Sequence, residues 1–256
     1  MAAIIIQPIE NLKHIQEKTG DRADTGEIVD RAVTKIGLPA VKYFTSCSDE
    51  QAEYLVQQKP ALVSAFMVVL IFFLPFLVCL GAFNQTAGDI ANRGLRYQLL
   101  RTERVNIFIG RFIGTYVFTL MVIAGLMAVV MLYLIAKARF YDAGDVIGWM
   151  LRGYLTMAVY ALPWVALCSW VSTFIDSAFG ALVIALLMSL MYPVIVYLAS
   201  KSNAHLSFLQ YFSPWGYKWW LLHPDIGKFF AGTGVMFGFT GLFGWLGLSH
   251  FQKRDL

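Results

Sequence analysis

A basic segment, residues 88–112, lies between two long apolar stretches of the chain. It contains five arginines and only two acidic residues, Asp89 and Glu103. Arginine side chains form strong hydrogen bonds with anionic groups, so the segment has some affinity for anionic lipid. A Lys/Arg-rich loop beside an apolar span is also typical of the cytoplasmic side of a membrane protein. The segment therefore predicts a cytoplasmic contact surface.

Groups that could carry out catalysis are sparse. The long apolar stretches contain no Lys, Arg, Asp or Glu, and their one histidine is His250 near the end of the chain. Catalysis inside a bilayer needs ionisable or nucleophilic groups that converge on one point. We interpret the hydroxyls of Thr156, Ser169, Ser172 and Thr173 as helix-packing groups. An intramembrane enzyme is therefore a remote alternative, and the three scattered cysteines predict no metal site.

The composition indicates a membrane protein. The 256 residues are 58% hydrophobic and 14% charged, whereas soluble domains carry about 25% charged residues. A soluble fold of this size needs more charge to cover its surface. The net charge of +4 is too small to suggest a nucleic-acid partner.

Uncharged runs locate the spans, because an unpaired charge is costly in hydrocarbon. A run of 23 to 25 residues is long enough for a helix to cross about 30 Å of hydrocarbon. Pro75, Pro163 and Pro193 fall inside such runs and are interpreted as packing kinks. The third and fourth runs meet at residues 176–177, which predicts a tight connection. The sequence predicts an all-α membrane protein with five transmembrane helices, at about residues 61–83, 112–136, 153–175, 177–200 and 229–252.

Residues 1–59 differ from the transmembrane domain, residues 60–256. They are polar, and two short amphipathic helices are predicted, at about residues 25–36 and after Ser48. Five spans place the two termini on opposite sides of the membrane. Because the basic segment favours the cytoplasm, we expect residues 1–59 on the other side.

An aromatic segment, residues 211–225, joins the last two predicted spans. It supplies candidates for an outer gate, while the alternative is an aromatic belt at the lipid headgroups, which Trp and Tyr favour. The belt is the preferred interpretation, although both properties can coexist. The candidate gate residues are Trp215, Tyr217, Trp219 and Trp220.

Glycines recur in the last predicted span, at Gly234, Gly238, Gly241, Gly244 and Gly247. Small residues on one helix face let another backbone approach closely. We interpret this face as packing within the subunit, in preference to a dimer interface.

The basic segment resembles the cytoplasmic loop of ABC-2-type transporter permeases. That loop has a glycine, a Leu-Leu pair, an arginine and a Gly-basic pair that opens the next span. Here Gly94, Leu99, Leu100, Arg104 and the pair at residues 110–111 take these places. The last six residues, FQKRDL, are similar to the family's usual ending. The resemblance covers about residues 60–256.

The resemblance implies that residues 89–104 form an amphipathic coupling helix that docks on a separate ABC ATPase. This chain has no GxxxxGK[ST] loop, so ATP and Mg would bind in the partner. No cofactor, metal or enzymatic activity is expected in this chain. The residues expected to couple to the ATPase are Asp89, Arg93, Gly94, Arg96, Leu99, Leu100, Arg101 and Arg104.

The family membership would make the chain a permease subunit in the bacterial inner membrane. It would act as a homodimer or with a paired permease, and the uncharged spans suggest export of a lipid-like or amphipathic substrate. The alternative is a non-transporting membrane anchor or mechanical subunit of a larger envelope machine bound to an ABC ATPase. Such permeases usually have six spans, so this branch lacks the first span, a partner supplies it, or the chain begins late.

Overall fold

The computed structural model describes residues 54–55, 59–91, 99–137, 143–202 and 204–254. Throughout these ranges the regular structure is helical, without a strand. The α-helices are α1 (Ala61–Ala82), α2 (Ala87–Ala91), α3 (Arg104–Lys137), α4 (Ala143–Phe174), α5 (Ala178–Ser202) and α6 (Ile226–Lys253). Between α5 and α6 lie three 3₁₀ helices, Ala204–Phe212, Pro214–Tyr217 and Trp220–Leu222, and we call residues 204–222 the 3₁₀ segment.

Five helices, α1 and α3 to α6, are long and apolar enough to cross a membrane. For the described part of the chain, the prediction of an all-helical fold with five helices long and apolar enough to span a membrane is therefore confirmed. Large apolar side chains such as Phe118, Met121 and Phe179 are more than half exposed. Such exposed apolar surface is expected where lipid, not water, surrounds a helix.

Two helices begin well before the predicted spans. α3 begins at Arg104 and α4 at Ala143, whereas the uncharged runs begin at residues 112 and 153. The prediction used charge, which marks where hydrocarbon ends, but backbone hydrogen bonding continues through charged residues beyond that boundary. Pro75, Pro163 and Pro193 lie inside helices, as predicted. Only residues 175–177 separate α4 from α5, so the tight connection is also confirmed.

The chain divides into two compact units. The described residues of the first unit fall within Met1–Phe66 and Tyr133–Trp149. Here the Trp149 indole N–H donates to Ser64 Oγ at 3.0 Å, and the Tyr54 ring meets the Trp149 ring edge-on. Lys59 Nζ lies over both rings. The predicted helix at residues 25–36 falls outside the described residues, and of the one after Ser48 only Tyr54 and Leu55 are described as helical.

The second unit comprises Met67–Leu132 and Met150–Leu256 and includes most of α4. Residues 160–169 of α4 are all buried. Ten consecutive residues cover every face of a helix, so this part of α4 is enclosed on all sides. Tyr160 and Trp164 are its largest buried side chains, and their rings meet edge-on at 6.0 Å. All candidate functional residues described below lie in this unit.

Candidate functional site

Two described residues of the basic segment point away from the protein. Leu100 is 83% exposed, and Arg101 is exposed beside it. Leu99 behaves differently, because it packs against the cluster formed by Ile107, Phe108 and Phe251. The Leu-Leu pair therefore has one member anchored in the fold and one available for contact with another molecule.

Arg104 is bound to the end of α6. Its Nη1 donates to the carbonyl oxygens of Phe251 at 3.3 Å, Gln252 at 2.9 Å and Arg254 at 2.6 Å. The last carbonyls of a helix lack partners within the helix, and they carry partial negative charge. A guanidinium group supplies these carbonyls with both hydrogen-bond donors and a positive charge. Arg104 therefore caps α6 and ties the start of α3 to it.

Two further arginines extend this connection. Arg254, which follows α6, donates to the carbonyl oxygen of Thr173 at the end of α4 and pairs with Asp176 just after that helix. Arg111 in α3 pairs with Asp89 in α2 and donates to the carbonyl oxygen of Gln85 at 2.5 Å. Together with Arg104, they link α2, α3, α4 and α6 at one end of the second unit.

The predicted coupling residues consequently divide into three groups. Leu100 and Arg101 are exposed, whereas Leu99, Arg104 and Asp89 are engaged in contacts within the chain. Arg93, Gly94 and Arg96 lie outside the described residues. Because it binds backbone carbonyls of α6, Arg104 has a positioning role here. Arg111 and Arg254 were not among the predicted coupling residues, since an arginine's partner depends on contacts between distant parts of the chain.

Hydroxyl groups join the turn after α1, and the 3₁₀ segment, to α4. Ser169 Oγ donates to Gln85 Oε1 at 2.5 Å, and Thr86 Oγ1 lies 2.6 Å from Ser172 Oγ. Thr156 Oγ1 donates to the carbonyl oxygen of Leu221 at 3.2 Å. These hydroxyls therefore hold helices and segments together.

The 3₁₀ segment runs along α4 toward the middle of that helix. At one end, Arg152 donates to the carbonyl oxygen of His223 at 2.7 Å. Farther along α4, the Trp164 ring meets the Trp215 ring at 6.2 Å. The helical rise between positions 152 and 164 amounts to about 18 Å. The connection between the last two spans thus enters the helical unit rather than passing over its end.

Trp215 is the deepest-lying of the four candidate gate residues. It is 8% exposed, its indole N–H donates to the carbonyl oxygen of Ser189 at 3.0 Å, and its ring meets Phe72 of α1. An interfacial belt predicts rings in contact with headgroups, whereas the ring of Trp215 lies against Phe72 and Trp164 of the protein. Tyr217, Trp219 and Trp220 are only partly buried.

Lys218 lies among three aromatic rings. Its Nζ is 4.5 Å from the ring centroid of Trp215, 5.1 Å from that of Phe72 and 5.4 Å from that of Trp219. Burial lowers the pKa of Lys218 to about 8, because desolvation disfavours the ammonium form. Sequence reasoning did not single out Lys218. Its position between aromatic residues was visible, but the contribution of Phe72 from α1 was not.

The glycines of α6 differ in their surroundings. Among the residues that the structure describes, a Cβ atom at Gly234, Gly238, Gly241 or Gly244 would meet no atom within 4 Å. The interpretation of these four as packing within the subunit is therefore wrong. Gly247 does pack closely, since a Cβ there would lie 2.9 Å from Phe108 Cζ and 3.1 Å from the Cα of Trp170.

Comparison with protein-family models gives no match to the chain, and comparison with curated proteins gives none.

Proposed function

We propose that the chain is the permease subunit of an ABC-2-type transporter and exports a lipid-like or amphipathic substrate. A separate ABC ATPase binds ATP and Mg and contacts the basic segment. Two permeases, as a homodimer or a pair, assemble with two ATPases in the bacterial inner membrane.

The observation that carries this proposal is that two exposed residues of the basic segment lie close to an arginine that is fixed to the end of α6. Leu100 and Arg101 are exposed, while Arg104 a few residues later is bound to three carbonyl oxygens near the end of α6. A force applied to the exposed pair is passed to α3 and α6, because Arg104 connects them. Arg254 carries it on to α4 through Thr173 and Asp176. A surface that must drive several spans needs such rigid connections.

The 3₁₀ segment supports the transport role. It brings Trp215 against Phe72 of α1 and Trp164 of α4, and Lys218 over the Phe72 ring. Three elements of the unit therefore meet around Trp215. An amphipathic molecule offers apolar and charged parts that match such surroundings. The open glycines of α6 leave room for a helix of a second permease.

The ATPase contact is tested by charge reversal of the exposed pair. The tagged chain is purified from its own membranes, and co-purified ATPase protein and ATP hydrolysis are measured. Leu100→Glu with Arg101→Glu should remove most of both, because an apolar and a cationic contact are replaced by anionic ones. Lys253→Glu is the matched control, since Lys253 is also exposed and lies at the end of α6. It should retain both signals.

The proposal fails if the wild-type chain brings down no ATPase, or if the double variant and the control behave alike. Thermal stability should be unchanged in the double variant, because both altered side chains are exposed. ATP hydrolysis that rises on addition of amphipathic compounds favours export. Hydrolysis that is indifferent to every such compound, together with obligatory co-purification of envelope proteins, favours the anchor alternative.

A further inference from the structure

In the described part of the chain, the contacts of the Lys218 ammonium group are with aromatic rings. The rings of Phe72, Trp215 and Trp219 surround it at 4.5 to 5.4 Å. Among the described residues, the ion pairs are Arg111 with Asp89 and Arg254 with Asp176, and neither involves Lys218. No acceptor oxygen of the described residues receives a hydrogen bond from the three N–H groups of Lys218.

The rings also contact one another and the rest of the protein, and the Trp219 ring lies 6.1 Å from the Phe72 ring. Trp215 donates to the carbonyl oxygen of Ser189 at 3.0 Å and meets Trp164 edge-on, and Phe72 belongs to α1. Ser213 Oγ accepts from the Trp215 backbone N–H at 3.4 Å, which caps the short 3₁₀ helix. The aromatic cage, Phe72, Trp215 and Trp219, is thus a preformed surface, and Lys218 remains partly accessible at its side.

A cation in these surroundings loses hydration free energy unless a hydrogen-bond acceptor binds it. Aromatic faces attract an ammonium group, but they replace only part of its lost hydration and accept none of its strong hydrogen bonds. A lysine stem could carry its charge to open solvent, as lysines near membrane surfaces do. Here the charge is instead kept beside three rings, with donors available and apolar surface around them.

We propose that Lys218 and its aromatic cage bind the phosphate-type anionic head group of an amphipathic molecule. The ammonium N–H groups donate to the anionic oxygens, and the rings contact the adjoining apolar part. Binding itself needs no ATPase, but the statement that the bound molecule is the exported cargo rests on the proposed function. The site therefore assigns an anionic amphiphile as the substrate class.

Lipid binding to the full-length chain tests the site without the ATPase. The purified protein in detergent is titrated with phosphatidylglycerol, phosphatidylcholine and inorganic phosphate, and bound lipid is counted by native mass spectrometry. Wild type and Lys218→Arg should retain phosphatidylglycerol, whereas Lys218→Met, which keeps most of the side-chain volume, should bind it about tenfold more weakly. Lys228→Met is the matched control, because Lys228 is hydrogen-bonded to His223 instead of lying over these rings.

Each result has a defined meaning. Equal binding by wild type and Lys218→Met overturns the proposal, and so does an equal loss in Lys228→Met, which would indicate general charge attraction. Tighter phosphatidylcholine binding by Lys218→Met also overturns it, since the cage would then hold a quaternary ammonium group. Inorganic phosphate that displaces phosphatidylglycerol at equal concentration assigns the site to free phosphate, whereas failure to displace it assigns the site to the lipid head group. Loss of phosphatidylglycerol binding without any change in co-purified ATPase separates this site from the ATPase contact.

Discussion

Arg104 Nη1 lies 2.6 Å from the carbonyl oxygen of Arg254, and this contact joins the first residue of α3 to the residue that follows α6. The two arginines are 150 positions apart in the chain. Arg254 in turn binds the end of α4 through the Thr173 carbonyl and Asp176. One chain of guanidinium contacts therefore holds three spans together beside the basic segment.

Removal of the Arg104 cap should destabilise the protein. Arg104→Ala leaves three carbonyl oxygens without their charged donor, and hydrogen bonds to charged groups contribute about 2 kcal/mol to the free energy of unfolding. The measurement is the temperature at which Cys79 and Cys168 react with a thiol dye in a Cys47→Ser background, because both cysteines are fully buried. Arg101→Ala, at an exposed position, should leave this temperature unchanged. Equal temperatures for Arg104→Ala and wild type would show that the cap contributes nothing.

Two glycines of α6 should respond oppositely to the same substitution. Gly247→Ala forces its new Cβ against Phe108 and the backbone of Trp170, which should cost about 1–3 kcal/mol of unfolding free energy. Gly241→Ala meets open space and gains helix propensity, so stability should stay equal or rise by up to about 1 kcal/mol. Thermal unfolding of both variants in the same detergent provides the comparison. A stable Gly247→Ala protein would contradict the close approach of α3, α4 and α6.

Anion binding at Lys218 should weaken as pH rises. The lowered pKa of about 8 means that the free side chain is largely charged at pH 7 and largely neutral at pH 9.5. Phosphatidylglycerol binding should therefore be strong below pH 8 and weaken as the pH rises above 8. A bound anion stabilises the ammonium form, so it moves this loss of binding to a higher pH. The facing stretch of α1, residues 67–82, holds only Cys79 as a titratable group, and the neighbouring chain adds Tyr217, His223, Asp225 and Lys228.

Lys218→Arg separates the lysine from these neighbours. Arginine stays protonated throughout this range, so its binding curve should be flat between pH 7 and 9.5. A fall of the same size in the arginine variant would assign the pH dependence to another group.

Labelling of Cys47 shows on which side of the membrane residues 1–59 lie. Since we expect these residues outside the cytoplasm, a membrane-impermeant thiol reagent applied to the outer face of intact cells should label the wild-type chain. Cys47→Ser should remove the label, because Cys79 and Cys168 are fully buried. Labelling that requires opening of the cytoplasmic face would reverse the predicted topology.

Local properties of the sequence were enough to predict five helical spans. Long uncharged runs such as residues 61–83 and 229–252 have one low-energy solution in hydrocarbon, the helix, because it satisfies every backbone hydrogen bond internally. The tight connection at residues 176–177 followed from the same pattern. The same pattern did not predict which member of the Leu-Leu pair is exposed or where the helices begin. These features depend on backbone hydrogen bonding and contacts beyond the apolar run.

The partners of the polar groups were decided only by tertiary structure. The sequence shows arginines at positions 104 and 254, but nothing local says that both bind helix ends from distant parts of the chain. It likewise shows Lys218 among aromatic residues, whereas the third ring, Phe72, comes from α1. The sequence shows the glycines of α6 but not what each one packs against, because only neighbours in the folded structure distinguish Gly247 from Gly241. Hydrophobicity acts on each segment by itself, while hydrogen bonds, ring contacts and close packing require two segments to meet.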